Sequence, residues 1–206
     1  MSISTPGIAP RTRRSPEAAR ENILAAAESI LIEAGPQHLK LAQVARAAGV
    51  VHASVLHHFG SIDGVQSALM ARMVQQLVAR IVAITAEAQD PAQIAGIGVE
   101  ALFDAFEERG AARLAAWLEL TGESRRLTLV REAVREVIAA RMSTDVSVSA
   151  ESMEDFILAS ISIALGVGLF GATLSALLGK PEARARDVAL ALLRDRLAAA
   201  ISKGPR

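Results

Sequence analysis

The polar side chains crowded between His52 and His58 are the first candidates for chemistry in this chain. Three imidazoles and the Ser54 hydroxyl share one short stretch. They invite a metal, but His57 and His58 follow His52 by steps that place them roughly 140° and 240° around a helix. Side chains so placed do not converge as an i, i+4 pair does, so no metal site is expected. A catalytic constellation is missing too. There is no G-x-S-x-G and no P-loop, Gly96 and Gly98 lack a third glycine, and Gly166, Gly168 and Gly171 sit inside a helical pattern with no strand before them. Neither an enzyme nor a cofactor is expected. What remains is hydrogen bonding, the chemistry by which such groups meet base edges and phosphates.

Two short helical patterns position these groups. In the first, Leu41, Val44, Ala45 and Ala48 recur at i, i+3, i+4 and i+7, a single apolar stripe. Gly49 gives the backbone freedom to leave that helix sharply. In the second, Val50, Val55 and Phe59 turn inward, and His52, Ser54, His57 and His58 are expected to face outward. The joint Ala47-Ala48-Gly49-Val50 is long enough only for a tight helix-turn-helix. A short second helix with polar tips suits insertion into a DNA major groove.

The order of elements then becomes specific. A long first helix, Gly35, LAQVARAAGV, a short helix ending HHF, and Ser61 opening another long helix resemble the TetR (tetracycline-repressor-like) regulators over about the first 70 residues. The resemblance implies a homodimeric repressor with an amino-terminal DNA-binding domain and a larger helical domain that binds small effectors and dimerises. It also makes the departures informative. Lys40 stands where the family has Ser or Thr opening the first motif helix, and Val51 where it has Ser opening the recognition helix. Leu56 replaces the Tyr before the His-Phe pair, and Ile62 replaces a Lys. Those positions commonly donate to phosphates, and three are aliphatic here. A helical dimer with degenerate DNA contacts, acting as a ligand- or protein-binding module, is therefore the alternative.

Residues expected at DNA are Lys40, Arg46, Val51, His52, Ala53, Ser54, Leu56, His57 and His58, with Arg13 and Arg14 of a flexible basic arm. His52, Ala53 and His57 are the expected base-edge readers. The charge is arranged consistently. The chain is neutral overall, but residues 1–60 hold six Lys and Arg (Arg11, Arg13, Arg14, Arg20, Lys40, Arg46) against four acids (Glu17, Glu21, Glu28, Glu33). All four His are in that segment as well. A mildly basic head on an acidic body fits DNA contact at one end.

Composition predicts an all-α fold. The chain has 206 residues, 51% of them hydrophobic but only 3% aromatic, so Ala, Leu, Val and Ile must build a closely packed helical core. The expected architecture is an N-terminal three-helix domain plus a larger C-terminal helical bundle, about nine helices in all. The expected division is an arm over 1–14, a helix-turn-helix domain over 15–60 and an effector-binding and dimerisation domain over 61–206. Helices are expected over 61–88, 111–120, 125–142, 150–178 and 181–201, among others, with a loop or short strand over 143–149. With no Cys and no apolar leader in the first residues, a cytoplasmic location is expected.

Phe156 to Gly179 carries no charge and is long enough for a bilayer, which takes about 20 apolar residues. Yet acids precede it, only Lys180 follows, and Ser160, Ser162, Thr173 and Ser175 dilute it. A helix apolar all round equally suits the centre of a dimer. Homodimerisation through the last two helices (about 150–178 and 181–201), without a membrane, is the expectation, as the resemblance also implies. Two recognition helices so held read a pseudo-palindromic duplex. The large apolar residues Met70, Met73, Leu77, Phe103, Phe106, Trp117, Leu120, Phe156 and Phe170 come from several helices and are expected to line a pocket for a small, mostly hydrophobic effector.

Overall fold

A computed structural model describes residues 15–85, 91–122 and 150–202, together with Glu132 and Arg135. The expected helix over 125–142 lies outside the described residues except for those two, which are helical and exposed. The basic arm and the 143–149 segment also lie outside them.

The described residues form helices throughout, with no strand among them. The first, α1 (Pro16–Ala34), starts as its sequence requires. Ser15 accepts from the Ala18 amide at 3.2 Å, Pro16 occupies the first turn and Glu17 meets the positive helix end. Gly35 ends it, and a 3-10 turn, Pro36–His38, leads to the motif helices α2 (Leu41–Ala48) and α3 (His52–Phe59). The long α4 (Ile62–Thr85) opens with the Ser61 hydroxyl accepting from the Gly64 amide at 3.0 Å. After it come α5 (Pro91–Glu107), α6 (Ala111–Leu120), α7 (Ala150–Leu177) and α8 (Arg184–Ser202).

Two apolar clusters organise these helices. The first joins Ile23, Ala27 and Leu31 of α1 with Val44 and Ala45 of α2 and Val55 of α3. The first half of α4 adds Val65, Leu69, Met70 and Met73, and α6 closes the cluster with Leu114 and Leu118. The second joins Val99, Leu102 and Phe103 of α5 with Ala164 of α7 and Ala189 and Leu193 of α8. Phe106 packs against both.

The glycines of α7 divide by face. A β-carbon on Gly168 would stand 2.9 Å from the Ala112 β-carbon and 3.0 Å from the Phe106 carbonyl oxygen, so α7 meets the α5–α6 corner almost backbone to backbone. On Gly171 it would stand 3.3 Å from the Ala185 β-carbon. On Gly166 it would meet nothing within 4 Å.

The last helix begins at Arg184 rather than at Pro181. Ser175 of α7 accepts from the Ala185 amide at 3.1 Å, which sets the first turn there. Residues 181–183 approach it as a turn, with the Arg184 amide bonded to the Pro181 carbonyl.

Candidate nucleic-acid interface and the body behind it

The helix-turn-helix is built as its residues dictate. Val44 and Ala45 are buried on the inner face of α2, and Gly49 turns the chain in the left-handed region at φ 66°. The Val50 amide then bonds to the Ala45 carbonyl at 2.9 Å, closing the helix end. Val55 is the buried anchor of α3, and Gly60, at φ 75°, ends that helix with its amide on the Leu56 carbonyl. No side chain caps the first turn of α2 or of α3, where Lys40 and Val51 stand at the cap positions. Within those turns the Gln43 amide bonds to the Lys40 carbonyl and the Ser54 amide to the Val51 carbonyl, both at 2.9 Å.

Opposite Val55, the residues Ala53, Leu56 and His57 form an i, i+3, i+4 face, and all three are exposed. His52, Lys40 and Arg46 are exposed as well, and Val51 is 70% exposed. Ser54 and His58 are half-buried, which corrects their expected outward placement. They flank Val55 on the inner side, so the helical turn carries them partly under the domain. The His57 and His58 rings meet edge to face at 5.3 Å between centroids. Among the described residues no group of three or more His, Asp or Glu is placed to hold a metal ion.

Two residues that the sequence did not single out hold the motif in place. The Asn22 side-chain amide donates to the Ala48 carbonyl at 2.7 Å, and Arg20 donates to the His58 carbonyl at 2.8 Å. The Arg20 guanidinium also lies 4.3 Å from the centroid of the Phe59 ring. Helix α1 thus grips the carboxyl ends of both motif helices. Gly64 fixes the next joint, because a β-carbon there would fall on the Phe59 carbonyl oxygen.

A polar network ties α1 to α4 and to the α5–α6 corner. Arg72 of α4 is buried and pairs with Glu21 and Glu28 of α1, and it also donates to the Leu24 carbonyl at 3.2 Å. Arg109, at the α5–α6 corner, pairs with the same Glu28 through its Nε at 2.9 Å and also donates to Gln76. One carboxylate is therefore shared by α4 and the α5–α6 corner. Farther from the motif, Arg186 of α8 pairs with Asp104 and Glu107 of α5. Burial pushes the Glu107 carboxyl above its ordinary range, only partly offset by Arg186. Burial works against the Arg186 charge, but Asp104 and Glu107 outweigh it and hold that pKa up.

The residues expected to line an effector pocket are distributed over both apolar clusters and the surface. Met70 and Met73 are buried in the first cluster, whereas Leu77, Phe103 and Phe156 belong to the second and Phe106 bridges the two. Trp117 is half-buried on α6. Leu120 is 86% exposed and Phe170 59% exposed, so these two face outward from the chain. A narrow apolar cleft runs between α5, α7 and α8, lined by Val99, Phe156, Leu190, Leu193 and Leu197 with Gly96 and Arg194 at its edge. It is too narrow to admit a water molecule. Of the expected lining only Phe156 borders it.

An exposed α3 set behind α2, among described residues that form helices and no strand, defines the class: a helix-turn-helix fold. Residues 23–69 match the family model described as bacterial regulatory proteins, tetR family. Residues 23–69 are thus a TetR-family amino-terminal domain. No curated protein matches it in sequence. Solved structures share the fold. A transcriptional regulator from Rhodococcus sp. Rha1 is similar at 20% identity and a TM-score of 0.64, covering 93% of this chain and 98% of its own. A TetR-family transcriptional regulator from Streptomyces coelicolor is similar at 19% identity and TM-score 0.59, covering 88% and 99%. The fatty acid degradation regulator FadR from Bacillus halodurans is similar at 17% identity and TM-score 0.58, covering 92% and 97%.

Proposed function

We propose that this protein is a cytoplasmic, homodimeric repressor that grips a pseudo-palindromic duplex and lets go when a small apolar effector enters its body. The observation that carries the reading is the outward face of α3, Ala53, Leu56 and His57, presented by a motif whose core and joints are fully closed. Lys40, Arg46, Val51, His52, Ser54 and His58 surround that face as the remaining contacts, and Arg13 and Arg14 follow the backbone as an arm. The division proposed is an arm over 1–14, a reading head over 15–60 and a body over 61–206.

Dimerisation through α7 and α8 is supported by Leu158, Phe170, Leu174 and Leu177 on one helix and Val188 and Leu192 on the other, all exposed in the single chain. Glu154–Leu177 is long and apolar enough to cross a membrane, and 17% of it is buried within the chain. In this reading a second copy covers that surface, and no membrane is involved. The effector is proposed to enter the second cluster near Leu77, Phe103, Phe106 and Phe156, parting α5 from α7 and α8. Movement of the α5–α6 corner then reaches α1 through Glu28, which Arg109 and Arg72 share. Fluorescence of Trp117, the single Trp, reports entry when a panel of apolar small molecules is added.

The reading is tested by measuring the affinity of the purified protein for duplex DNA as salt is raised. Each phosphate contact contributes about −0.9 to the slope of log K against log salt. Lys40→Ala is expected to flatten the slope by about 2 for a dimer, one contact being lost per protomer. Binding that ignores ionic strength contradicts the reading.

A further inference from the structure

Three aliphatic side chains stand uncovered at the end of the chain that meets DNA. Val51 is 70% exposed, Leu56 is 42% exposed, and Ala53 is exposed beside them. Scattered apolar side chains on a surface need no explanation. These are not scattered: Ala53 and Leu56 share the outward face of α3 with His57, and Val51 stands at its amino-terminal cap. Residues 51–59 include no Lys, Arg, Asn or Gln, the side chains that make the common bidentate contacts with guanine and adenine. Pressed against phosphate, aliphatic groups would strip water from an anion without returning a hydrogen bond, which is unfavourable. The major groove offers one apolar group of its own, the C5-methyl of thymine.

We propose that Val51, Ala53 and Leu56 form an aliphatic reader of thymine C5-methyl groups, and that these contacts set the sequence of each half-site. The inference rests on the reading above, in which α3 enters the major groove. His52 and His57, exposed on either side, supply hydrogen bonds to neighbouring base acceptors. The replaced phosphate donors thus become a means of specificity. Affinity moves from charge toward methyl burial, which leaves Lys40 and Arg46 as the exposed cations of the described motif residues 40–60.

The test uses the full chain and a duplex selected by it from a random pool at moderate salt. Each thymine is replaced in turn by deoxyuridine, which deletes the methyl and leaves every hydrogen-bonding group in place. The expected result is a loss of about fourfold for each contacted methyl, the value of one buried CH₂ or methyl group. The losses should fall at one or two positions repeated in each half-site, with no loss at other thymines. Leu56→Asn and Ala53→Ser, both at exposed positions, are expected to abolish the difference between thymine and uracil at those positions without altering the salt slope. If the selected duplex binds tightly and no uracil substitution weakens it, the aliphatic reader is overturned while DNA binding stands. If the pool yields no enriched duplex, the DNA-binding reading falls and this inference falls with it.

Discussion

Arg20 reaches from α1 to the far end of the recognition helix, where it donates to the His58 carbonyl and lies over the Phe59 ring. An exposed cation–π contact and a charged hydrogen bond together are worth about 1–2 kcal/mol. Arg20→Ala is therefore expected to lower the urea midpoint by a corresponding amount. DNA affinity should fall further than that loss of folded protein explains, because α3 loses its orientation. Equal DNA affinity in the variant, once corrected for the unfolded fraction, would show that Arg20 does not position the helix. Neither Arg20 nor Asn22 was legible in the sequence as part of the site. Their partners lie 38 and 26 residues away, and no local pattern announces a contact that tertiary packing creates. The outward placement of Ala53 and His57 was legible, because Val55 fixes which way the short helix turns. The half-burial of Ser54 and His58 was not, since the polar side chains gave no sign that they flank the buried face.

At the scale of elements, the ends of helices were the clearest signals. Ser15-Pro16 started α1, Gly35 and Gly49 stopped α1 and α2, and Ser61 capped α4, each for a local backbone reason. The start of α8 was less legible, because the hydroxyl that sets it belongs to Ser175 on the preceding helix. The glycines of α7 look alike in the sequence, which does not say which of them meets a neighbour. The structure separates them, and a paired substitution checks it. Gly168→Ala forces a β-carbon against Ala112 and the Phe106 carbonyl, with an expected cost of about 1–3 kcal/mol in thermal or urea unfolding. Gly166→Ala meets open space in the single chain and should leave the stability of an isolated protomer unchanged or slightly raised. A reversed order of the two would mean that α7 presents its other face to the α5–α6 corner.

For the whole molecule, composition and periodicity predicted an all-helical fold, and the described residues form helices and no strand; the family match over residues 23–69 agrees with the helix-turn-helix. Large apolar side chains fill cores and line pockets with the same sequence signature, so which of the expected lining residues pack in a core was not legible. Met70 and Met73 sit in the first cluster, and Leu120 and Phe170 face outward. The exposed apolar surface of α7 and α8 makes dimerisation testable. Phe170→Glu places a charge on that surface and is expected to weaken self-association at least tenfold by sedimentation, while the helical content of the chain is preserved. A variant that dimerises as tightly as the original would move the interface elsewhere. The most direct test of the central claim is selection of bound duplex from a random pool by the purified full chain. The account predicts enriched sequences with two inverted half-sites whose centres lie about one helical turn, or a multiple of it, apart. Enrichment of single, unpaired sites, or no enrichment at any salt, would contradict it.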